Sequence, residues 1–201
     1  MVEKPLEMAI DMNHAPPVYL PKTLQFTEEQ FAEIIKANPN LRFELTASGE
    51  LIAMPPTGGE TGRYNAALTA DISLWNRQTQ LGEVFDSSTG FRLPNGAIRS
   101  PDVAWIAKER WQRLTPEERQ GFVPLCPDFV IELASASDDL SHLRAKMQEY
   151  MDNGCRLGWL IVPQQQMAEI YRPQQTPERV SLPTTLSGEE ILPHFCLAFS
   201  P

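Results

Sequence analysis

The sequence predicts a single α/β domain, a mixed sheet with helices packed on it, and three observations carry that expectation. At 201 residues the chain is long enough for one well-packed core and short for two. Its 42% apolar and 21% charged residues are the balance of an ordinary globular protein. Helix-like and strand-like periodicities alternate along it, the order that lays helices on a sheet.

Residues 1–22 contain Pro5, Pro16, Pro17 and Pro21 with little periodicity and read as an arm, which leaves 23–201 as the domain. Thr27-Glu28-Glu29-Gln30 has the form of a capping box; Phe31, Ile34 and Ile35 follow at helical spacing, and Pro39 lies beyond. Arg42–Leu45 and Leu51–Met54 flank Ala47-Ser48-Gly49 and read as a β-hairpin. After the break at Pro55-Pro56-Thr57-Gly58-Gly59, the positions Tyr64, Ala67, Leu68, Ile72 and Trp75 predict a helix over 61–78, ended by Gly82. Short strands follow near Val84-Phe85 and Phe91-Arg92-Leu93, then a turn at Pro94-Asn95-Gly96 and a strand over Asp102–Ile106. Residues 107–127, charged and proline-containing, predict a short helix and a surface loop, and Phe129–Leu133 is a buried strand. A helix over Leu140–Asn153 turns Leu143, Met147, Tyr150 and Met151 inward and stops at Gly154. Leu157–Val162 and Ala168–Tyr171 are strands, and 174–201 holds short strands and turns.

Composition narrows the function. No apolar run approaches the roughly 20 residues that span a bilayer. The N-terminal stretch has no apolar segment behind a basic start, so no secretory signal is expected. Cys126, Cys155 and Cys196 are odd in number and widely spaced, which fits neither a disulfide framework nor a zinc site and points to a reducing, cytoplasmic setting. His14, His142 and His194 are equally scattered, so a metal here would need oxygen ligands. The net charge of −9 counts against a nucleic-acid binder unless the basic residues cluster on one face.

Carboxylates on buried strands are the informative residues, because an unpaired buried charge costs several kcal/mol. Asp102 opens one strand, and Glu132 sits on the face of its strand opposite Phe129, Ile131 and Leu133. If the strands are neighbours, both carboxylates converge, and two such oxygen donors suit Mg²⁺ or Mn²⁺. Lys146 lies at the edge of the apolar stripe of its helix, able to face the carboxylates. Together the three residues suggest metal-dependent phosphodiester hydrolysis, with the metal activating water and the lysine steadying developing charge.

These residues also carry a family resemblance. Pro101-Asp102, Glu132 within FVIELASASDD and Lys146 within LRAKMQEYMDNGCRLGWLIV resemble the PD-(D/E)XK nuclease superfamily. RFELTASGELIAMPPTGGETG, LGEVFDSSTGFRLPNGAIRSPDVAWI and the terminal YRP and LSGEEILPHF segments are similar to one branch of it, the Uma-two family of restriction-endonuclease-like proteins. The resemblance covers roughly residues 24 to 199. It implies a restriction-endonuclease-like αβββαβ core, Asp102 and Glu132 as metal ligands, Lys146 as the catalytic lysine, and Glu44, with Glu50 its competitor, as an assisting acid at the metal. By analogy it implies a DNA substrate and a homodimer. Two positions depart from the pattern. Ala134 stands where the superfamily lysine would follow Glu132, so the lysine is expected from the next helix, and His194 stands in place of a glycine in the last turn.

Each residue also has a plainer reading. Asp102 after Pro101 is suited to cap a turn, Glu132 to pair with Arg92 or Lys146, and Lys146 to pair with Glu149 on the surface. Tyr64, Trp75, Trp105 and Trp159 read as core or core-edge residues. Thr57-Gly58-Gly59 lacks the Lys-Ser/Thr of a phosphate loop. The rival functions are an idle nuclease fold that binds nucleic acid or a protein, and a hydrolase of another phosphoester.

Overall fold

The computed structural model describes residues 24–54 and 56–201, together with the backbone of Val18 and Tyr19. Most of the expected arm therefore lies outside the described residues, but strand β1, Val18–Tyr19, pairs antiparallel with Ala53 and Ile52.

Helix α1, Glu28–Ala37, begins at the expected capping box. The Gln30 N–H donates to Thr27 Oγ1 at 3.3 Å, and the Thr27 N–H donates to Gln30 Oε1 at 2.9 Å. Strands β2, Arg42–Leu45, and β3, Leu51–Met54, form the predicted hairpin. Helix α2, Gly59–Thr79, starts two residues before the predicted position and ends on Gln80 in the left-handed conformation. Gly82 does not cap that helix. It opens strand β4, Gly82–Asp86, where a Cβ would stand 2.1 Å from Ile106 O and 2.5 Å from the Trp105 ring. Strand pairing at that distance requires glycine.

Strands β5, Phe91–Arg92, and β6, Ile98–Arg99, leave the main sheet and join β1, β2 and β3 in a second sheet of order β1-β3-β2-β6-β5. The expected mixed central sheet is present; that these short strands form a second sheet beside it was not specified by the sequence, because short apolar runs do not say which edge they pair with. The main sheet continues with β7, Val103–Ala107, β8, Phe129–Leu133, and β9, Leu157–Val162. Strands β10, Met167–Tyr171, and β11, Glu178–Ser181, extend it to the order β11-β10-β9-β8-β7-β4. Only β8 and β9 are parallel, joined by helix α5, Leu140–Asp152; the other neighbours run antiparallel. Taken in chain order, α2, β4, β7, β8, α5 and β9 give the expected αβββαβ core.

The 107–127 segment holds two short helices rather than one, α3, Lys108–Gln112, and α4, Pro116–Gln120. The second starts on a capping box of Thr115 and Glu118 with Pro116 in first position, a signal present in the sequence but not picked out. A terminal hairpin of β12, Thr184–Ser187, and β13, Cys196–Phe199, completes the fold.

Strand alternation sorts the core into two layers. Val103, Trp105, Phe129, Ile131 and Trp159 pack with Leu68, Ile72 and Trp75 of α2 and with the terminal hairpin. Ala104, Ile106, Val130 and Leu160 pack with Met147, Tyr150 and Met151 of α5. Trp75, Trp105 and Trp159 are buried in this core and Tyr64 packs against it, as expected. Gly158 on β9 lets α5 approach closely, since a Cβ there would meet Met147 Cε at 2.5 Å. Cys126 and Cys155, far apart in sequence, are free, buried neighbours, and burial first, then Cys126 beside it, pushes the Cys155 thiol well up.

Candidate active site

The register of β7 on β8 pairs Val103 with Ile131 and Ala104 with Val130. Continued by one residue, it sets Asp102 opposite Glu132. Glu132 has the parity of Val130 and Ala134, so it shares their face with α5. Asp102 sits in the bend just before β7, and both expected carboxylates line one cleft. Lys146 is one residue before Met147 on α5 and is buried with it.

Lys146 Nζ lies 2.7 Å from Glu132 Oε1 and 2.7 Å from Glu44 Oε1, and it donates to the Ser100 carbonyl at 3.4 Å. The surface pair with Glu149 is not made; Glu149 instead accepts from Arg99 Nε at 2.5 Å. Arg99 also donates to Glu44 Oε2 at 3.1 Å, and the Ser100 N–H donates to Glu44 Oε1 at 2.9 Å. Glu44 comes from β2 in the second sheet, so the cluster bridges the two sheets. The other proposed partner of Glu132, Arg92, pairs with Glu28 instead.

Asp102 is held from two directions. Its Oδ1 accepts from Asn65 Nδ2 at 2.8 Å and its Oδ2 from the Leu133 N–H at 2.9 Å. It does not cap a local turn; it receives a donor from the neighbouring strand. The Tyr150 hydroxyl, one helical turn beyond Lys146, donates to Glu132 Oε1 at 3.0 Å. Sequence reasoning placed Tyr150 on the apolar face and passed over Arg99 and Asn65. The available signal for Tyr150 was its i+4 spacing from Lys146, and for Arg99 its charge between Ile98 and Pro101.

Electrostatics follow from burial and counting charges. Burial pushes Glu132 up to about 8; the Lys146 ammonium pulls it down, while the charges of Asp102 and Glu44 add to the rise. Burial also raises Asp102 against the opposing Leu133 N–H and Lys146 charge. Burial would raise Glu44 as well, but Lys146 and Arg99 outweigh it and hold that carboxyl below its ordinary value. Lys146 is raised: burial acts against its charge, and Glu132 and Glu44 more than offset that.

A divalent cation was expected here, and the donor chemistry fits one. Asp102 and Glu132 supply hard oxygen ligands, and two carboxylates with water and substrate phosphate are a common Mg²⁺ set. Glu132 carries a pKa raised partly by like charges, the repulsion that a cation relieves. Asn65 Oδ1, on the amide that binds Asp102, is buried without a hydrogen-bond partner among the described residues. Among the described residues, however, no three His, Cys, Asp or Glu side chains gather closely enough to hold a metal ion. Glu44 is already engaged by Lys146, Arg99 and Ser100, so its position is that of a counter-ion to the lysine. Glu50 lines the same space and is half-buried.

The cluster opens into a cleft of about 1160 Å³ between the sheets, lined by Arg42, Glu44, Asp102, Glu132 and Lys146 among others. Gly58 and Gly59 line it too, at the start of α2, where no side chain caps the helix.

Comparison with known proteins gives a consistent picture. A family model named Uma2 and described as "Putative restriction endonuclease" matches residues 28–200. A crystal structure of a protein from Anabaena variabilis, described as "a putative nuclease belonging to DUF820", superposes with a TM-score of 0.72 at 21% identity, covering 86% of this chain and 94% of that one. At that identity the likeness shows a shared fold. No curated protein matches the chain. Among the described residues, no helix is long and apolar enough to cross a membrane.

Proposed function

This chain belongs to the Uma2 family, and from that premise we propose that it is a nuclease, hydrolysing DNA phosphodiester bonds with the help of Mg²⁺ or Mn²⁺. The observation that carries the reading is the meeting of Asp102, Glu132 and Lys146 in one cleft, with Lys146 Nζ 2.7 Å from the Glu132 carboxylate. Asp102 and Glu132 would hold the ion, which supplies Lewis-acid polarisation of the phosphate and a more acidic water. Lys146 places a fixed positive charge beside them, suited to a phosphoryl group gaining negative charge. Glu44 and Ser100 orient that ammonium, and Tyr150 fixes the Glu132 carboxyl through Oε1. By analogy with enzymes that cut both strands, the working form is a homodimer, to be checked by light scattering.

The test is plasmid nicking with Mg²⁺ or Mn²⁺, with Ca²⁺ as a binding control. Asp102→Asn and Glu132→Gln are the informative variants. Alanine at 102 would leave the Leu133 N–H without its acceptor, at a cost of about 1–3 kcal/mol. Alanine at Lys146 would strand two buried carboxylates, at about 3–5 kcal/mol. Both isosteric variants should lose at least about a hundredfold in metal-dependent cleavage while unfolding near the wild-type temperature. Undiminished cutting by Glu132→Gln would place the activity elsewhere.

A second reading, an idle nuclease fold that binds nucleic acid without cutting it, draws on one observation. The Lys146 ammonium bridges Glu44 and Glu132 and neutralises them from within. DNA binding by wild-type protein with no cleavage under any divalent metal would favour it.

A further inference from the structure

We propose that Arg42 is a substrate-anchoring residue of this cleft and that the group it holds is a backbone phosphate of DNA, an assignment that rests on the nuclease reading above. Arg42 opens β2 and lines the cleft shared by Asp102, Glu132 and Lys146. Its Nη1 donates to Ser87 Oγ at 2.8 Å, and its Nη2 donates to Thr57 Oγ1 at 2.8 Å. These acceptors come from two separate segments, so the guanidinium is held in direction. Both are neutral hydroxyls, so neither cancels its charge.

The other arginine and lysine of the cleft differ on this point. Arg99 is paired with Glu44 and Glu149, and Lys146 with Glu44 and Glu132. Among the described residues, Arg42 makes no ion pair within 4.0 Å. Its charge nevertheless reaches Asp102, on which it exerts a lowering pull. A fixed guanidinium with no ion pair among the described residues, near the proposed metal-binding carboxylates, is placed to take a phosphate close to the one being cut. The donors not used by Ser87 and Thr57 match the forked geometry with which arginine binds phosphate oxygens. Such a contact fixes the duplex along the cleft without reading its sequence.

The experiment measures binding of a short fluorescent DNA duplex of mixed sequence in Ca²⁺ across a salt series, with cleavage in Mg²⁺ followed in parallel. Arg42→Gln should weaken binding about tenfold at low salt and lower the salt slope by about one unit. Arg42→Lys should restore the slope. The paired variant Thr57→Val with Ser87→Ala removes the tether but keeps the charge, and it should keep the slope as well. Unchanged affinity and slope in Arg42→Gln would overturn the assignment. Equal loss of slope in Arg42→Gln and the paired hydroxyl variant would overturn it too, reducing Arg42 to a structural tie. Wild-type protein that binds DNA in this Arg42-dependent way but never cuts sinks the nuclease reading and supports the anchoring role. Wild-type protein that does not bind DNA sinks both.

Discussion

Glu132 is a carboxyl group that, without a cation, holds its proton well above the usual range. Burial raises it to about 8, with Lys146 opposing and the charges of Asp102 and Glu44 adding. In the unfolded chain the same group loses its proton near its ordinary value of 4.5. The folded state is therefore the better proton binder between those values, and stability falls as pH rises through that window. Glu44 acts in the opposite sense: its lowered pKa contributes stability above its ordinary value that is lost at acid pH. The two windows are separate, which allows a clean test. Metal-free wild-type protein should lose at least about 1 kcal/mol between pH 5 and 8, roughly 2–4 °C in Tm for a chain of this size. Glu132→Gln should show a smaller loss, with only the like-signed Asp102 shift remaining. Parallel melting curves for the two proteins would contradict the assignment.

Local backbone chemistry sets the element boundaries, and the last turn shows how far it can be stretched. His194, where a glycine was expected, adopts φ of 63°. The turn keeps the left-handed conformation a glycine would supply, at a strain of about 1 kcal/mol or more for a residue with a Cβ. Its side chain is exposed, so packing does not confuse the comparison. His194→Gly should fold with unchanged or slightly raised Tm. His194→Val should lose about 1–3 kcal/mol in chemical denaturation, because a β-branched side chain is worst at positive φ. Equal stability of the valine and wild-type proteins would show that the turn rearranges. The position of α5 matters more for the site. Arg144 binds Glu169 of β10 through Nε and Nη2, with Arg179 and the Tyr171 hydroxyl on the same carboxylate. That tie, and the close approach over Gly158, hold Lys146 over β8.

On the scale of the whole molecule, the cleft exists because the second sheet brings Glu44 and Arg42 across from the β7–β8 carboxylates. The net charge of −9 then works against a polyanionic substrate. Acidic residues outnumber Arg42, Arg99 and Lys146 along the cleft, so the proposed DNA binding would depend on few cationic contacts and on the proposed divalent ion. DNA affinity should be weak near physiological ionic strength and should rise steeply as salt is reduced, with a log–log slope that divalent metal alters. A flat salt dependence would show that binding does not run through backbone phosphates.

The sequence by itself determined the longer helices, most strand positions and the candidates Asp102, Glu132 and Lys146, which the fold brings to one cleft. Those features rest on period, caps and the cost of burying charge, all local properties of the chain. It could not determine that Phe91–Arg92 and Ile98–Arg99 leave the main sheet, because strand partners are chosen by long-range packing. Nor could it pair Lys146 with Glu44, 102 positions earlier, or put Cys126 beside Cys155. Only the tertiary structure decided that Glu44 pairs with the lysine, that Tyr150 holds Glu132 and that Arg42 has no ion pair among the described residues. Each depends on which surfaces the two sheets bring together, and no local pattern encodes that distance.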